Sequence, residues 1–335
     1  MPMPRGSVQV ETVESAVLKG NPPGDPHVRD LHVYLPPGYE RGTERFPVLW
    51  GLAGFTGRGR TMLNDGAWTP GFADRMDALI ASGRVKPMIA ALPDCFTHVG
   101  GSQYINSTGL GRYDDHLVTE LVPLVDARYR TLPGPRHRGV MGKSSGGYGA
   151  LVLGMRHPDV FGAVACHSGD MYFDFCYTRD FGPAIRSLRK AGGVAAWYRK
   201  FHAAPRKRSE DFPALDVIGM AAAYSPNPAA PPAFCDLPFD PETGELQDAV
   251  WARWKAHDPL VLIERHADAL KSLRLLYLDC GTDDEFYLEL GARQFVRRLQ
   301  ALGVTHEYEE FEDGHMNIPY RYDVSLPKLS AALSP

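Results

Sequence analysis

The chain has 335 residues, of which 44% are apolar and 23% are charged, the proportions of an ordinary globular protein. Its formal net charge of -4 gives no electrostatic reason to expect a nucleic-acid partner, and no polybasic tail indicates an anionic membrane surface. We find neither an N-terminal secretion signal nor an apolar run long enough to span a bilayer. We therefore expect a cytoplasmic protein without nucleic-acid or membrane partners, and the sequence leaves open whether it forms a homo-oligomer.

Five cysteines are scattered along the chain, and no two of them have the C-x-x-C spacing of a zinc site or a redox dithiol. An odd number of separated cysteines favours buried free thiols in a reducing compartment. The sequence thus predicts neither a metal nor a cofactor. The residues concerned are Cys95, Cys166, Cys176, Cys235 and Cys280.

Apolar and polar positions alternate over the first forty residues, which predicts two antiparallel strands that end at a Pro-Pro-Gly turn. Continuous apolar runs at 47–52 and 88–93 predict strands buried on both faces. From Tyr113 to Tyr129 leucines recur at helical spacing, and Pro123 within this pattern should kink the helix. Later segments predict strands at 139–142, 161–165, 273–279 and 305–311, with helices at 147–155 and 290–302. This alternation is typical of an α/β fold with a mostly parallel central sheet and helices on both faces.

The regular pattern is lost between residues 171 and 259, where only short helices, such as 184–190 and 248–254, are predicted. An insertion of this length between core strands is more often a lid or specificity element than a loop. We interpret the chain as a single domain, 1–335, with a lid-like insertion at 171–259. Eight basic residues at 186–208 favour a solvated helical face over a site for an anionic substrate.

The segment Gly142-Lys143-Ser144-Ser145-Gly146 matches the pattern G-x-S-x-G. This pattern is typical of a nucleophile elbow, a sharp strand-to-helix turn that exposes the serine hydroxyl above a sheet. Side chains two residues before or after the serine would collide with the turn, so glycine is needed there. Because the motif follows a predicted strand and precedes a predicted helix, we identify Ser144 as the candidate nucleophile.

A nucleophilic serine needs a base and an orienting acid, which in folds with this elbow follow in the order Ser, Asp/Glu, His. His315 lies in the loop after the last predicted strand and is the candidate base. The acid should follow the strand at 273–279. Three carboxylates compete there, Asp283, Asp284 and Glu285, and the residues alone do not separate them.

An oxyanion hole needs two backbone N–H groups aimed at the developing alkoxide. One should come from Ser145, directly after the nucleophile. The other should come from the loop after the strand at 47–52, where Phe55 follows Gly54. A glycine at this position allows the backbone to approach the substrate closely.

These motifs resemble the esterase branch of the α/β-hydrolase superfamily. That branch includes S-formylglutathione hydrolases (esterase D), antigen 85 mycolyltransferases, and feruloyl, acetyl-xylan and enterochelin esterases. The resemblance is strongest at 35–39, 100–115, 142–150 and 279–286. In this family the acid falls three residues after the glycine of the strand-end motif, which implies Asp284.

Two departures from the family pattern surround the oxyanion loop. The family often has His-Gly before the oxyanion residue, whereas this chain has Ala53-Gly54. The cysteine usual near this loop in S-formylglutathione hydrolases has no counterpart around Phe55, which counts against that specific activity.

The sequence therefore predicts a serine-dependent carboxylic ester hydrolase that acts on a small-molecule ester through an acyl-enzyme on Ser144. An acyltransferase with the same triad is the alternative, and the intact triad disfavours a non-catalytic binding protein. Loops at the carboxyl edge of the sheet and the insertion should supply substrate contacts. The candidates for these contacts are Gln103, Tyr104, Asp170, Tyr172, Trp251 and Trp254.

Overall fold

The structure is a computed structural model that describes residues 4–335. The strands within this range are β1 (Ser7–Glu14), β2 (Val28–Leu35), β3 (Val48–Leu52), β4 (Ile89–Pro93), β5 (Asn106–Ser107), β6 (Gly111–Arg112), β7 (Arg138–Lys143), β8 (Ala163–His167), β9 (Leu275–Gly281) and β10 (Glu307–Phe311). Eight of them form one sheet in the order β1-β2-β4-β3-β7-β8-β9-β10. The β1–β2 and β2–β4 pairs are antiparallel, and all later pairs are parallel. The strands predicted at 47–52, 88–93 and beyond are found with boundaries shifted by at most two residues.

Helices cover both faces of this sheet, which confirms the predicted α/β class. On one face α2 (Phe72–Ala81) and α14 (Tyr322–Leu333) pack against β-strand side chains such as Leu49 and Met141. On the other face lie α5 (Ser145–Arg156), α13 (Leu288–Ala301) and the insertion. The α-helices are α1 (Gly59–Met62), α2 (Phe72–Ala81), α3 (Tyr113–Asp115), α4 (Val122–Arg128), α5 (Ser145–Arg156), α6 (Phe173–Cys176), α7 (Thr178–Ala191), α8 (Val194–Ala203), α9 (Phe212–Tyr224), α10 (Asp248–Lys255), α11 (Pro259–Leu262), α12 (Ala267–Ser272), α13 (Leu288–Ala301) and α14 (Tyr322–Leu333).

The irregularity expected at Pro123 takes the form of a π-helical turn. This turn, His116–Leu121, lies between α3 and α4. Pro123 has no N–H and cannot donate to the carbonyl of Thr119, four residues earlier. A wider turn just before the proline therefore joins the two α-helical pieces.

The insertion at 171–259 is more helical than the sequence indicated, and the prediction of only short helices was wrong. It contains α7 with 14 residues, α8 with 10 and α9 with 13. Helix α9 is buried along nearly its whole length. Because it is apolar on almost every face, it lacks the 3.6-residue alternation by which a surface helix is found.

Two further features of the chain are its lack of a membrane-spanning helix within residues 4–335 and the state of its cysteines. Within residues 4–335 no helix is both long enough and apolar enough to cross a membrane. All five cysteines are free and buried, as predicted. Burial raises the pKa of thiols such as Cys95 and Cys166, so these thiols stay protonated and unreactive.

Candidate active site

Ser144 lies in a tight turn between β7 and α5 with φ 59° and ψ -130°, a conformation that costs a residue with a side chain roughly 1–3 kcal/mol. Its N–H donates to the carbonyl of His167 at 2.9 Å, which anchors the turn to the neighbouring strand. A Cβ on Gly142 would lie 2.3 Å from the carbonyl oxygen of Gly146. A Cβ on Gly146 would lie 2.2 Å from the carbonyl oxygen of Leu52. Both glycines of the motif are thus required by close backbone approach.

Three side chains from the ends of three parallel strands form a hydrogen-bonded chain. The Oγ of Ser144, after β7, lies 2.9 Å from Nε2 of His315. The Nδ1 of His315, after β10, lies 2.8 Å from Oδ2 of Asp284, after β9. The other oxygen of Asp284 accepts a hydrogen bond from the N–H of Phe286 at 2.8 Å. Since His315 and Asp284 are each only 3% exposed, water competes little for these hydrogen bonds.

The three carboxylates that compete in the sequence have different partners. Asp284 contacts the imidazole ring of His315. Glu285 instead accepts a hydrogen bond from the backbone N–H of His315, a role that sequence reasoning missed. Asp283 is exposed, and its nearest side-chain partner is Thr282 at 3.4 Å. One carboxylate therefore orients the ring, and its neighbour holds the loop that carries the ring.

The oxyanion loop lies beside the nucleophile. A Cβ on Gly54 would lie 3.4 Å from Cβ of Ser144, so the next residue, Phe55, begins at the edge of the site. Within residues 4–335 the N–H of Phe55 donates to no protein acceptor. Ser145 is the first residue of α5, and the first N–H groups of a helix have no partner inside it. Both backbone donors are free to bind an oxyanion.

Three of the predicted substrate contacts are buried and hydrogen-bonded within the protein. Gln103 is 1% exposed, and its amide nitrogen lies 3.1 Å from Oδ2 of Asp170. Asp170 is 6% exposed, and burial raises the pKa of its carboxyl against the lowering effect of its hydrogen bonds. The hydroxyl of Tyr104 donates to the carbonyl of Ala53 at 2.6 Å. Oε1 of Gln103, by contrast, has no hydrogen-bond partner within residues 4–335. A contact of Gln103, Tyr104 and Asp170 with substrate therefore stays a prediction.

The two tryptophans proposed as an aromatic wall belong to the core of the insertion. Trp254 is fully buried, and its Nε1 donates to Oγ of Ser225 at 2.8 Å. Trp251 packs against Trp254 and Phe181, with ring centroids 5.7 Å apart in both pairs. Both rings thus pack inside the protein, and their contact with substrate stays a prediction. Tyr172 differs, since its half-buried ring stacks on the exposed ring of Phe175 at 5.1 Å, and it stays a candidate.

A different set of aromatic side chains lies next to His315, the candidate base. The ring of Phe286 lies 4.8 Å from that of His315. Phe212, the first residue of α9, lies 6.3 Å from Phe286 and 5.9 Å from Phe55. The guanidinium of Arg179 lies over the Phe286 ring at 4.7 Å. Only Phe286, two residues after the acid, could have been found from sequence position, whereas nothing in the insertion marked Phe212 or Arg179.

A cavity of ≈ 410 Å³ borders the loop at 53–57, which carries the candidate oxyanion donor Phe55. Its lining includes Gly54, Phe55, Lys143 and Tyr322. Burial lowers the pKa of the Lys143 ammonium, although nearby carboxylates oppose the shift. A second cavity, of ≈ 600 Å³, lies within the insertion and is lined by part of the basic stretch at 186–208 but by none of the triad residues. Within residues 4–335 no cluster of His, Cys, Asp and Glu is arranged to hold a metal ion.

The sheet order and the serine elbow define an α/β hydrolase. The chain belongs to the esterase family whose model is described as "Putative esterase", which matches residues 26–331.

Two relatives carry informative names. Over 151 residues the chain is 31% identical to an endo-1,4-beta-xylanase/feruloyl esterase of Xylanibacter ruminicola, a match that covers 43% of this chain and 20% of that protein. Over 321 residues it is 24% identical to an esterase of Mycobacterium tuberculosis, which covers 91% of this chain and 56% of that protein. The chain thus spans about half, or less, of the length of these relatives.

Solved structures share the fold over the full length. A ferulic acid esterase superposes with a TM-score of 0.65 at 21% identity, covering 98% of this chain and 99% of that one. An S-formylglutathione hydrolase from Agrobacterium tumefaciens superposes with a TM-score of 0.58 at 18% identity, covering 98% and 96%. At these identities the likeness shows the α/β-hydrolase fold.

Proposed function

We propose that the protein hydrolyses carboxylic esters through an acyl-enzyme on Ser144. The observation that carries this proposal is the chain of hydrogen bonds from Ser144 through His315 to Asp284, at 2.9 and 2.8 Å. It occurs at an elbow whose nucleophile has the strained φ of 59° that lifts the hydroxyl clear of the sheet. Membership of the esterase family supports the same chemistry.

The proposed reaction has two steps. In the first, His315 takes the proton of Ser144 as Oγ attacks the ester carbonyl, and the N–H groups of Phe55 and Ser145 bind the oxyanion. The tetrahedral intermediate collapses when His315 returns the proton to the leaving alcohol, which leaves an acyl-enzyme. In the second, water gives a proton to His315 as its oxygen attacks the acyl carbon; His315 then passes that proton to Oγ of Ser144 as the acyl C–Oγ bond breaks and the carboxylic acid leaves. Asp284 orients the imidazole and stabilises its charged form throughout.

The insertion at 171–259 is proposed as the specificity element of this site. It supplies Phe212 and Arg179, which both contact the ring of Phe286, and Phe286 in turn contacts His315. Phe212 also contacts Phe55 of the loop after β3. Flat rings around a nucleophile favour an ester whose acyl group carries an aromatic ring, because ring pairs gain more than simple burial. The names of the ferulic acid and feruloyl esterases among the similar proteins agree with this substrate class.

The experiment compares p-nitrophenyl esters of graded acyl length, and a hydroxycinnamoyl ester, on the parent and on Ser144→Ala. We expect turnover by the parent and none above background by the variant. Ser272→Ala is the matched control, because Ser272 is exposed and its hydroxyl contacts only a helical carbonyl. Undiminished turnover by Ser144→Ala would contradict the proposal. Product analysis with added acceptor alcohol separates hydrolysis from acyl transfer.

A further inference from the structure

The loop at 102–104 forms hydrogen bonds with Ala53, before the loop of Phe55, and with Asp170, after β8. The hydroxyl of Tyr104 reaches the carbonyl of Ala53 at 2.6 Å, directly before the oxyanion loop. The amide of Gln103 reaches Asp170 at 3.1 Å. The carboxylate of Asp170 in turn accepts a hydrogen bond from Oγ of Ser145 at 3.0 Å. One short loop thus bonds directly to the segment before Phe55 and, through Asp170, to Ser145. These are the two segments that carry the candidate oxyanion donors.

The Phe55 half of the oxyanion hole is held at several points by the same stretch of chain. The N–H of Thr56 donates to the carbonyl of Gly100 at 2.9 Å. The ring of Phe55 fills the space beside Gly100, where a Cβ would lie 2.5 Å from the ring. The Tyr104 bond fixes the peptide before Gly54. Because a peptide unit is planar, fixing its carbonyl also fixes the direction in which the loop leaves the strand.

The Ser145 half is held through a buried carboxylate. Oδ2 of Asp170 accepts hydrogen bonds from Ser145, from Gln103 and from the hydroxyl of Tyr177 at 3.0 Å. Gln103 and Tyr177 are also linked to the hydroxyl of Tyr224, at 2.9 and 3.3 Å. These groups are all buried. Within residues 4–335 Oε1 of Gln103 has no partner in this buried network. The bond to Asp170 nevertheless restricts the side chain of Ser145, and with it the backbone N–H of the first residue of α5.

The backbone of the loop is strained at both of the residues concerned. Gln103 has φ 52° and Tyr104 has φ 57°, so two consecutive non-glycine residues lie in the left-handed region. Such conformations persist only where surrounding contacts over-determine them, and they concentrate at functional sites. The contacts that hold this pair are the two that lead to the oxyanion donors.

We propose that the loop at 102–104 positions both halves of the oxyanion hole. Tyr104 acts on the Phe55 half through the backbone of Ala53. Gln103 acts on the Ser145 half through Asp170. All are positioning residues, since none contacts the reacting atoms, and the inference rests on the proposed ester hydrolysis.

The test uses two variants that leave both backbone donors in the chain. Tyr104→Phe removes the hydroxyl but keeps the ring on α5, and Ser145→Ala removes the bond to Asp170 but keeps the N–H. Misplacing one oxyanion donor should lower kcat by about 10-fold to 100-fold, less than the loss of a donor. KM should change little, because the donors act mainly on the transition state. The pH dependence of kcat/KM should keep its midpoint, since His315 and Asp284 are untouched.

A boronic acid provides a second readout, because its tetrahedral adduct with serine places an oxygen in the oxyanion hole. Its affinity should fall in each variant by about the same factor as kcat. Tyr34→Phe is the matched control: it also removes a buried tyrosine hydroxyl, which bonds to Asp77 at 2.6 Å, on the face of the sheet covered by α2. It should lower thermal stability and leave kcat and boronate affinity unchanged.

The outcomes separate the two proposals. A parent that shows no Ser144-dependent ester turnover and no boronate binding would refute the proposed function and, with it, the positioning role. A parent that reacts at Ser144, together with variants of unchanged kcat and boronate affinity, would refute the positioning role alone. The same conclusion follows if each variant loses no more kcat than Tyr34→Phe or loses activity through KM only.

Discussion

Gly281 and Asp313 approach so closely that a Cβ on the glycine would lie 2.2 Å from the aspartate carbonyl oxygen. The N–H of Asp283 also donates to that carbonyl at 3.1 Å. Gly281 ends β9, directly before the loop of Asp284, and Asp313 precedes His315 by two residues. The loops that carry the candidate acid and base are therefore packed against one another, and their separation is set by a glycine.

The first prediction concerns this glycine. In Gly281→Ala the new methyl group must push the two loops apart, so we expect a loss of about 1–3 kcal/mol in the free energy of unfolding and a clear fall in kcat. Gly182→Ala is the control, because no atom lies within 4 Å of a Cβ at that position in α7. Parent-like kcat in Gly281→Ala would show that the loop contact does not set the Asp284–His315 geometry.

The second prediction separates Asp284 from its neighbour Asp283. Asp284→Asn should lower kcat by about 10⁴-fold, the loss seen when a triad aspartate becomes an amide and no longer holds the correct histidine tautomer. Asp283→Asn should behave like the parent, because this side chain is exposed and does not contact His315. Steady-state kinetics on one p-nitrophenyl ester are sufficient. Equal losses in both variants would contradict the assignment of Asp284.

The third prediction concerns the aromatic surroundings of His315. Phe212→Ala removes a ring that lies 5.9 Å from Phe55 and 6.3 Å from Phe286. A ring pair contributes about 0.5–1.5 kcal/mol beyond burial, so kcat/KM for a hydroxycinnamoyl ester should fall by up to about tenfold. The acetyl ester should be affected less. A uniform effect on both esters would place the acyl group elsewhere.

The fourth prediction is a pH dependence of stability at His157. Its Nε2 lies 2.6 Å from Asp114, and this hydrogen bond raises the pKa of His157 in spite of partial burial. A raised pKa means that the folded state binds the proton more tightly than the unfolded chain. The stabilisation is therefore fully present below the unfolded pKa of about 6.5 and is lost as the pH rises through the folded pKa.

The measurement compares the thermal unfolding of the parent and of His157→Gln at about pH 5.5 and about pH 9. The difference in Tm should be larger at the lower pH, because glutamine cannot form the ion pair. A difference that grew with pH would contradict the assigned partner. Activity should be similar in the two proteins, since His157 follows α5 at the end remote from Ser144.

Sequence position alone indicated the candidate nucleophile and the candidate base, because each depends on local rules. Ser144 is marked by glycines that the turn requires, and His315 follows the last strand of the sheet. The choice of Asp284 over Asp283 and Glu285 needed family resemblance. Neighbouring side chains in a turn point in different directions. Neither periodicity nor composition shows which of the three carboxylates faces His315.

The surroundings of the predicted substrate contacts were harder to foresee, for a different physical reason. Gln103 and Asp170 are polar residues in loops at the carboxyl edge of the sheet, where ligands usually bind. Their burial depends on Tyr177 and Tyr224, which come from the insertion. The sequence predicted a lid-like insertion, but since α9 shows no amphipathic pattern, it did not indicate which side chains of the insertion would pack on these loops. The burial of Trp251 and Trp254 was likewise not foreseen, because a large aromatic residue fits a core as well as a binding site.

Mapping the covalent intermediate tests most directly whether Ser144 is the nucleophile. The protein is mixed briefly with a p-nitrophenyl ester, quenched in acid, digested and mapped by mass spectrometry. We predict an acyl group on Ser144 in the peptide that contains the elbow, and no adduct in Ser144→Ala. An acyl group on Ser145 or on another residue, or turnover of the ester by Ser144→Ala at the parent's rate, would contradict it.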